Sequence, residues 1–340
     1  MLSKWSGAFQ VAAVYVGTIV GAGFATGKEI VEFFTRYGFF GFLGILIAGF
    51  VFIYAGTKIM LVAKRIEAES YEELNCHLFG RKIGTLINIL FFIMLIGVTA
   101  VMISGAGAIF HEQLGMSRHF GMWFTIILAA LTMVFGVKGL FAVNTFVVPV
   151  MIGFSLTLCV LSLGDGFFLA FFSIPEETAS LKMFLSPFSY TAFNLALSQA
   201  VLVPLAKEIK EEETIRKGAV LGGVFLTIIL LSGHLALIAL PEVMKFEIPT
   251  AFLMKAFAPG LYGLFILVIF GEIFTSVVGN LFGLGKQAKQ YIPLSGFIVL
   301  AVIVFLTFFI REIGYGKLLG GLYPLFGYIS MIFLFLVWKK

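Results

Sequence analysis

Charge is scarce in this sequence. Its 340 residues include 23 Lys or Arg and 18 Asp or Glu, 12% of the chain, where a soluble domain averages about 25%. So thin a charged complement excludes a soluble enzyme and a nucleic-acid-binding domain. A hydrophobic content of 60% excludes a disordered chain. The net charge of +5 and the pI near 9.1 do not restore a nucleic-acid partner. The basic residues sit in short gaps between apolar runs, as the positive-inside rule has them in membrane proteins. Cysteine is almost missing: Cys76 lies in a polar loop and Cys159 deep in an apolar run, with no CxxC partner for either. That leaves no disulfide framework and no thiolate metal or redox motif. No HExxH, Walker or Ser/His/Asp grouping exists, so no nucleophile–base or metal-ligand set can be assembled and the chain reads as no enzyme. Long hydrophilic stretches are also missing, which argues against an appended soluble domain. The first apolar segment runs on without a small-residue cleavage site, as a span and not a signal peptide.

What is there is apolar, with a mean hydropathy of +1.08. A bilayer core about 30 Å thick takes about 20 apolar residues per helix. Ten runs meet that need: 8–35, 38–62, 83–109, 120–137, 140–163, 187–206, 216–240, 259–288, 294–312 and 318–338. None alternates as a barrel strand would. The expected fold class is an all-α, polytopic membrane protein with ten transmembrane helices. Ten crossings put both termini on one side. Lys and Arg divide fifteen to eight in favour of that side, with clusters at Lys64-Arg65, Arg81-Lys82 and Arg216-Lys217. Both termini are therefore expected in the cytoplasm. The polar loops 64–82 and 207–217 read as solvated cytoplasmic turns, the first with a short amphipathic helix. On the outer side, 241–258 carries Pro241 and Pro249 and reads as an amphipathic segment across the mouth, a candidate lid.

The first span is unusual. Residues 17–27, Gly-Thr-Ile-Val-Gly-Ala-Gly-Phe-Ala-Thr-Gly, hold four glycines, each costing about 1 kcal/mol of helix propensity. Gly17/Gly21 and Gly23/Gly27 are GxxxG pairs and can serve close helix packing. The alternative is a break. A broken span frees amides at the start of its second half and carbonyls at the end of its first. Such groups survive at membrane depth only where they line a cavity or bind something. The amide end attracts an anion and the carbonyl end a cation.

A second unusual feature is Glu272, in Leu264-Phe-Ile-Leu-Val-Ile-Phe-Gly-Glu-Ile-Phe-Thr-Ser276, far from either end of its span. A charge there costs at least about 2.5–3.5 kcal/mol, which makes a functional role the default. Thr275 and Ser276 follow at i+3 and i+4 on the same face, giving an oxygen-rich half-shell suited to a hard cation. The carboxyl could equally carry a proton, or be a structural acid paired across the bundle. His234, in span seven, reads as a packed imidazole or a proton carrier.

The string Val16-Gly-Thr-Ile-Val-Gly-Ala-Gly23 resembles the first-span signature of LeuT-fold transporters in the amino acid–polyamine–organocation (APC) superfamily. The longer string Gly17 to Ile30 is similar to the YkvI family of bacterial membrane proteins. The resemblance implies two inverted five-helix repeats, 1–163 and 184–340, joined by an outer loop at 164–183, with spans one and six discontinuous. It also implies a bacterial plasma membrane. Span six, 187–206, is short and carries Ser189, Tyr190, Thr191, Asn194, Ser198 and Gln199, as a discontinuous helix would, although helix-to-helix bonding explains them too. By resemblance, carbonyls of Gly17 and Val20 would face the Thr275 and Ser276 hydroxyls across a Na⁺ site, with Glu272 one turn away.

The expected function is ion-coupled secondary transport of a small solute, an amino acid or related zwitterion, driven by Na⁺ or H⁺ without another cofactor. Gly21, Ala22, Gly23 and Thr26 would hold an anionic group; Phe193, Asn194 and Ser198 would line the other side. Gly17, Val20, Glu272, Thr275 and Ser276 would couple the ion. A non-transporting nutrient receptor of the same fold is the competing reading. The partners are a small molecule and the bilayer, with no nucleic acid; no sequence feature sets the oligomeric state.

Overall fold

The computed structural model describes residues 2–135, 138–164, 171–172, 180–288, 298, 301–302, 305 and 314–339. Span nine, expected at 294–312, and most of the outer connection 164–183 lie outside the described residues. Twelve α-helices are named below: α1 (Leu2–Ile19), α2 (Ala22–Ala25), α3 (Lys28–Phe33), α4 (Phe39–Arg65), α5 (Tyr71–Ala108), α6 (Arg118–Phe135), α7 (Lys138–Ser162), α8 (Leu181–Glu208), α9 (Glu212–Ala239), α10 (Pro249–Phe257), α11 (Tyr262–Ala288) and α12 (Tyr315–Lys339). Among the described residues there is no strand. Among the described residues, six helices are long and apolar enough to cross a membrane, and Gly7–Ile19 and Pro149–Ser162 are shorter apolar helices.

Local chemistry sets the helix boundaries. α5 opens with Ser70, whose Oγ accepts from the Glu73 amide, while the Glu73 carboxylate accepts from the Glu69 amide. The pair is a variant of the capping box, with the Glu73 carboxylate reaching one residue beyond the N-cap. Gly80, at φ 77 and ψ 160, then bends the chain, so the short loop helix expected within 64–82 occupies the first two turns of α5 and the span follows the bend. π-helical Ile109–Gln113 ends it.

The packing is close where glycine permits. Tyr15 of α1 lies between Gly56 of α4 and Gly222 of α9 and donates to the Phe52 carbonyl at 2.8 Å. A Cβ on Gly56 would stand 2.1 Å from Tyr15 Oη, and one on Gly222 2.6 Å from its ring. Such small-residue contacts are how helices approach where lipid supplies no hydrophobic drive. α1 packs on α9, α4 sits between α8 and α9, α12 lies against α8 and α5, and α11 against α5 and α7. The outward faces are apolar: Phe50, Leu86, Ile89, Ile93, Leu267, Ile332 and Phe335 are all more than half exposed. A belt of this kind is stable against hydrocarbon, not water.

Polar contacts collect at two opposite ends. At one end Arg65 pairs with Glu212, Lys207 with Glu69, Lys58 donates to the Trp338 carbonyl, and Gly7 touches Thr214. The first and last helices thus have their outer turns on the same end. At the other end Arg118 pairs with Glu247, and Lys28 donates to the carbonyls of Met244 and Phe246.

One expectation fails. α8 runs unbroken from Leu181 to Glu208, through Pro187 and Pro204, so span six is not discontinuous. Its polar side chains turn back on their own helix. Thr191 donates to the Pro187 carbonyl, Asn194 to Tyr190, Ser198 to Leu195 and Gln199 to Ala196. With no glycine over 187–206 and a local acceptor for each of these four groups, nothing opens the helix.

Candidate functional site at the break in the first span

The first span breaks twice. α1 ends at Ile19, Val20 and Gly21 are non-helical, and Gly21 is extended at φ −111 and ψ −167. The last helical bond of α1 runs from the Val20 amide to the Val16 carbonyl; the first across the far side runs from the Ala25 amide to Gly21. Between them the amides of Gly21, Ala22, Gly23 and Phe24 have no partner four residues back, and the carbonyls of Gly17, Thr18, Ile19 and Val20 have none four residues on. A helix has four such orphans at each terminus; here both sets meet within eight residues in the middle of the bundle.

The second break is at Thr26–Gly27. Gly27 adopts φ 78, a left-handed conformation that glycine takes without a Cβ penalty. The carbonyls freed here are capped from outside. Thr250, at the start of α10, donates its amide to the Thr26 carbonyl at 3.1 Å and its hydroxyl to the Ala25 carbonyl at 2.8 Å. The 241–258 segment therefore packs against this second break. Glu112 accepts from the amides of Glu247 and Ile248 at 3.1 and 3.2 Å. Together with Lys28 and Arg118, it ties the segment to α3, α5 and α6.

The residues singled out from the sequence divide into three groups. Gly21 and Ser276 meet: a Cβ on Gly21 would stand 3.3 Å from Ser276 Oγ. Glu272 is one turn away on the same face of α11, 1% exposed, with no hydrogen bond to its Oε1 among the described residues. Thr275 is buried beside it, but its hydroxyl donates to the Glu272 carbonyl at 3.2 Å and leaves only its oxygen lone pairs. Gly17, Val20, Ala22 and Gly23 supply the free backbone groups. Thr26 is fully buried and bonded to Tyr315 Oη at 2.9 Å. Phe193 faces elsewhere, its ring 4.6 Å from that of Tyr323, and Asn194 and Ser198 are occupied on α8. Among the described residues no group of three or more His, Cys, Asp or Glu could hold a metal ion.

Glu29 escaped the sequence reading. It sits one residue past Lys28 and three before Glu32, so it looks like part of the polar end of a span. In the structure it is 3% exposed, and its carboxyl packs on the bare Cα of Gly23, where a Cβ would come within 2.0 Å of Oε1. The signal available was its place two residues after the last glycine of the string: a chain that reverses at Gly27 carries residue 29 back towards the break. Beside it, a cavity of ≈ 570 Å³ is lined by Glu32, Phe33, Ser186, Ser189, Gly320 and Pro324 among others.

No protein-family profile matches the chain. Among solved structures, the inward-facing conformation of Mhp1 is similar with a TM-score of 0.60 at 14% identity, over 95% of this chain and 73% of that one. A Na⁺-coupled sialic acid symporter, in a substrate-bound outward-open state, is similar with a TM-score of 0.60 at 12% identity, over 97% of this chain and 74% of its own. The fold is therefore that of LeuT-type transporters. The membrane protein YkvI of Bacillus subtilis (strain 168) is 48% identical over 333 residues, 96% of this chain and 94% of its own length. At that identity and coverage, the chain belongs to the YkvI family of membrane proteins.

Proposed function

We propose that this protein is a secondary transporter that carries a small solute by alternating access through the break in its first span. The observation that carries the reading is the double set of unpaired backbone groups at Gly17–Phe24. Free amides and carbonyls at membrane depth are costly unless something binds them. Their partners here are a solute anion at the amides of Gly21, Ala22, Gly23 and Phe24 and a cation at the carbonyls of Gly17 and Val20. Ser276, Thr275 and Glu272 supply the oxygens that complete the cation site, and either Na⁺ bound there or a proton on Glu272 couples transport. The fold shared with Mhp1 and the sialic acid symporter supports the same class of function. An amino acid or related zwitterion suits a site with amides at one end and carboxylates nearby. Our reading keeps ten crossings, in two five-helix repeats over 1–163 and 184–340, with both termini in the cytoplasm of a bacterial cell. Phe193 contributes bulk behind the site through Tyr323.

Uptake by the purified protein in liposomes, with a panel of amino acids under separate Na⁺ and H⁺ gradients, tests the proposal. Accumulation driven by one gradient and abolished in Glu272→Gln, with that variant still inserted and monodisperse, is the expected result. Equal uptake by the variant under every gradient removes Glu272 from coupling. Saturable binding without accumulation marks a receptor.

A further inference from the structure

We infer that Glu29, with Tyr190 and Tyr323, forms a binding site for the ammonium group of the solute. This deepens the transport reading and rests on it for calling the ligand cargo. Among the described residues, three buried polar atoms in this region lack a hydrogen-bond partner: Glu29 Oε2, Tyr323 Oη and Ser189 Oγ. The Tyr190 hydroxyl faces the Glu29 carboxyl, and Tyr315 and Tyr323 are within its electrostatic reach. Neighbouring cations are engaged elsewhere. Lys28 holds the carbonyls of Met244 and Phe246, Arg36 pairs with Glu32, and Arg118 pairs with Glu247. A buried carboxyl with no cation is what a site for a positively charged ligand leaves when that ligand is supplied from outside the chain.

The surroundings select the kind of cation. Phe33 and Phe34 stand 5.2 and 5.0 Å from the Tyr190 ring, and Phe193 stands 4.6 Å from Tyr323. Aromatic faces beside one carboxylate attract an ammonium group through the ring quadrupole as well as by charge. A divalent metal would need more acids, and among the described residues no group of three or more His, Cys, Asp or Glu could hold one. A cavity lies close to the cluster without including its members. Three helices that wall the ≈ 570 Å³ cavity also carry the cluster: Glu32 and Phe33 lie one turn from Glu29, Ser189 adjoins Tyr190, and Pro324 adjoins Tyr323. Glu29 also rests on Gly23, whose own amide is one of the four left free. An ammonium at Glu29 and a carboxylate at those amides would fit the two ends of one small molecule.

Thermal shift of the purified full chain in detergent, against matched triplets, tests this. One triplet is leucine, isoamylamine and 4-methylpentanoate; the other is phenylalanine, phenethylamine and 3-phenylpropionate. Ammonium-bearing members should raise the melting temperature, and the bare carboxylates should not. Glu29→Gln should weaken amine binding at least tenfold. Glu29→Asp, which keeps the charge at shorter reach, should retain part of it, and decides the matter if Glu29→Gln does not stay monodisperse. The inference is overturned if no amine binds, if carboxylates bind as well as amines, or if amine affinity is the same with and without the acid. It is also overturned if Glu29 variants alter only the response to Na⁺ or pH. Uptake of a neutral or anionic solute that is indifferent to Glu29→Gln would leave transport standing and remove this site. Glu29-dependent amine binding with no uptake would keep the site and remove transport.

Discussion

Single residues decide where the first span can break. Gly27 and Gly115 both hold positive φ, 78 and 66, but only Gly27 is hemmed in: a Cβ there meets Thr250 Cγ2 at 2.6 Å, and one on Gly115 meets nothing within 4 Å. Gly115→Ala should therefore cost only the left-handed strain, about 1–2 kcal/mol. Gly27→Ala should cost more and melt several degrees lower in detergent, because it also pushes α10 off its seat; equal melting points would mean that the lid contact contributes nothing. The glycine string was legible from sequence because four glycines in 11 residues weaken a helix more than one packing contact requires. Glu272 was legible as an acid with apolar neighbours on both sides. Glu29 was not, since its neighbours Lys28 and Glu32 are charged and its burial comes from a turn in the chain that periodicity does not report.

At the level of elements, span one and span six illustrate what polar content can and cannot say. Both carry helix-disfavouring residues, yet only the first opens. Glycine removes helical stability without offering a substitute, whereas Thr191, Asn194, Ser198 and Gln199 each bond a carbonyl of their own helix. The 241–258 segment was readable as a separate amphipathic segment from its two prolines and its pattern, but its anchors, Glu112, Arg118 and Lys28, come from distant parts of the chain. The Arg118–Glu247 pair is mostly buried, with side-chain exposures of 22% and 18%. Arg118→Ala should release the segment. In a background with Cys76 and Cys159 replaced by Ser, a cysteine substituted for the buried Ala251 should react with an external maleimide several-fold faster once Arg118 is changed. An unchanged rate would mean that the amide contacts to Glu112 and the bonds from Thr250 to Thr26 and Ala25 hold the segment without Arg118.

For the whole molecule, the two polar ends give a topology that can be checked without a substrate. Residues 65–69 and 207–214 share one end, and residues 112–118 and 241–248 the other. With the basic bias placing the first end in the cytoplasm, a cysteine substituted for Lys245 should label with an impermeant reagent in intact cells, and one for Lys210 only after permeabilisation. The reverse pattern would invert the protein, and labelling of both from outside would contradict the two-ended arrangement. The fold class and the first break were thus available from composition and spacing; the side-chain cluster around Glu29 needed three dimensions, because its members come from α3, α8 and α12. Finally, Thr250 spends its own amide and hydroxyl on the carbonyls of Thr26 and Ala25. Lifting this segment therefore strips two donors from the hinge and leaves two carbonyls bare in the same motion, so a molecule that enters past it meets a doorway whose opening has already changed the chemistry of the seat behind it.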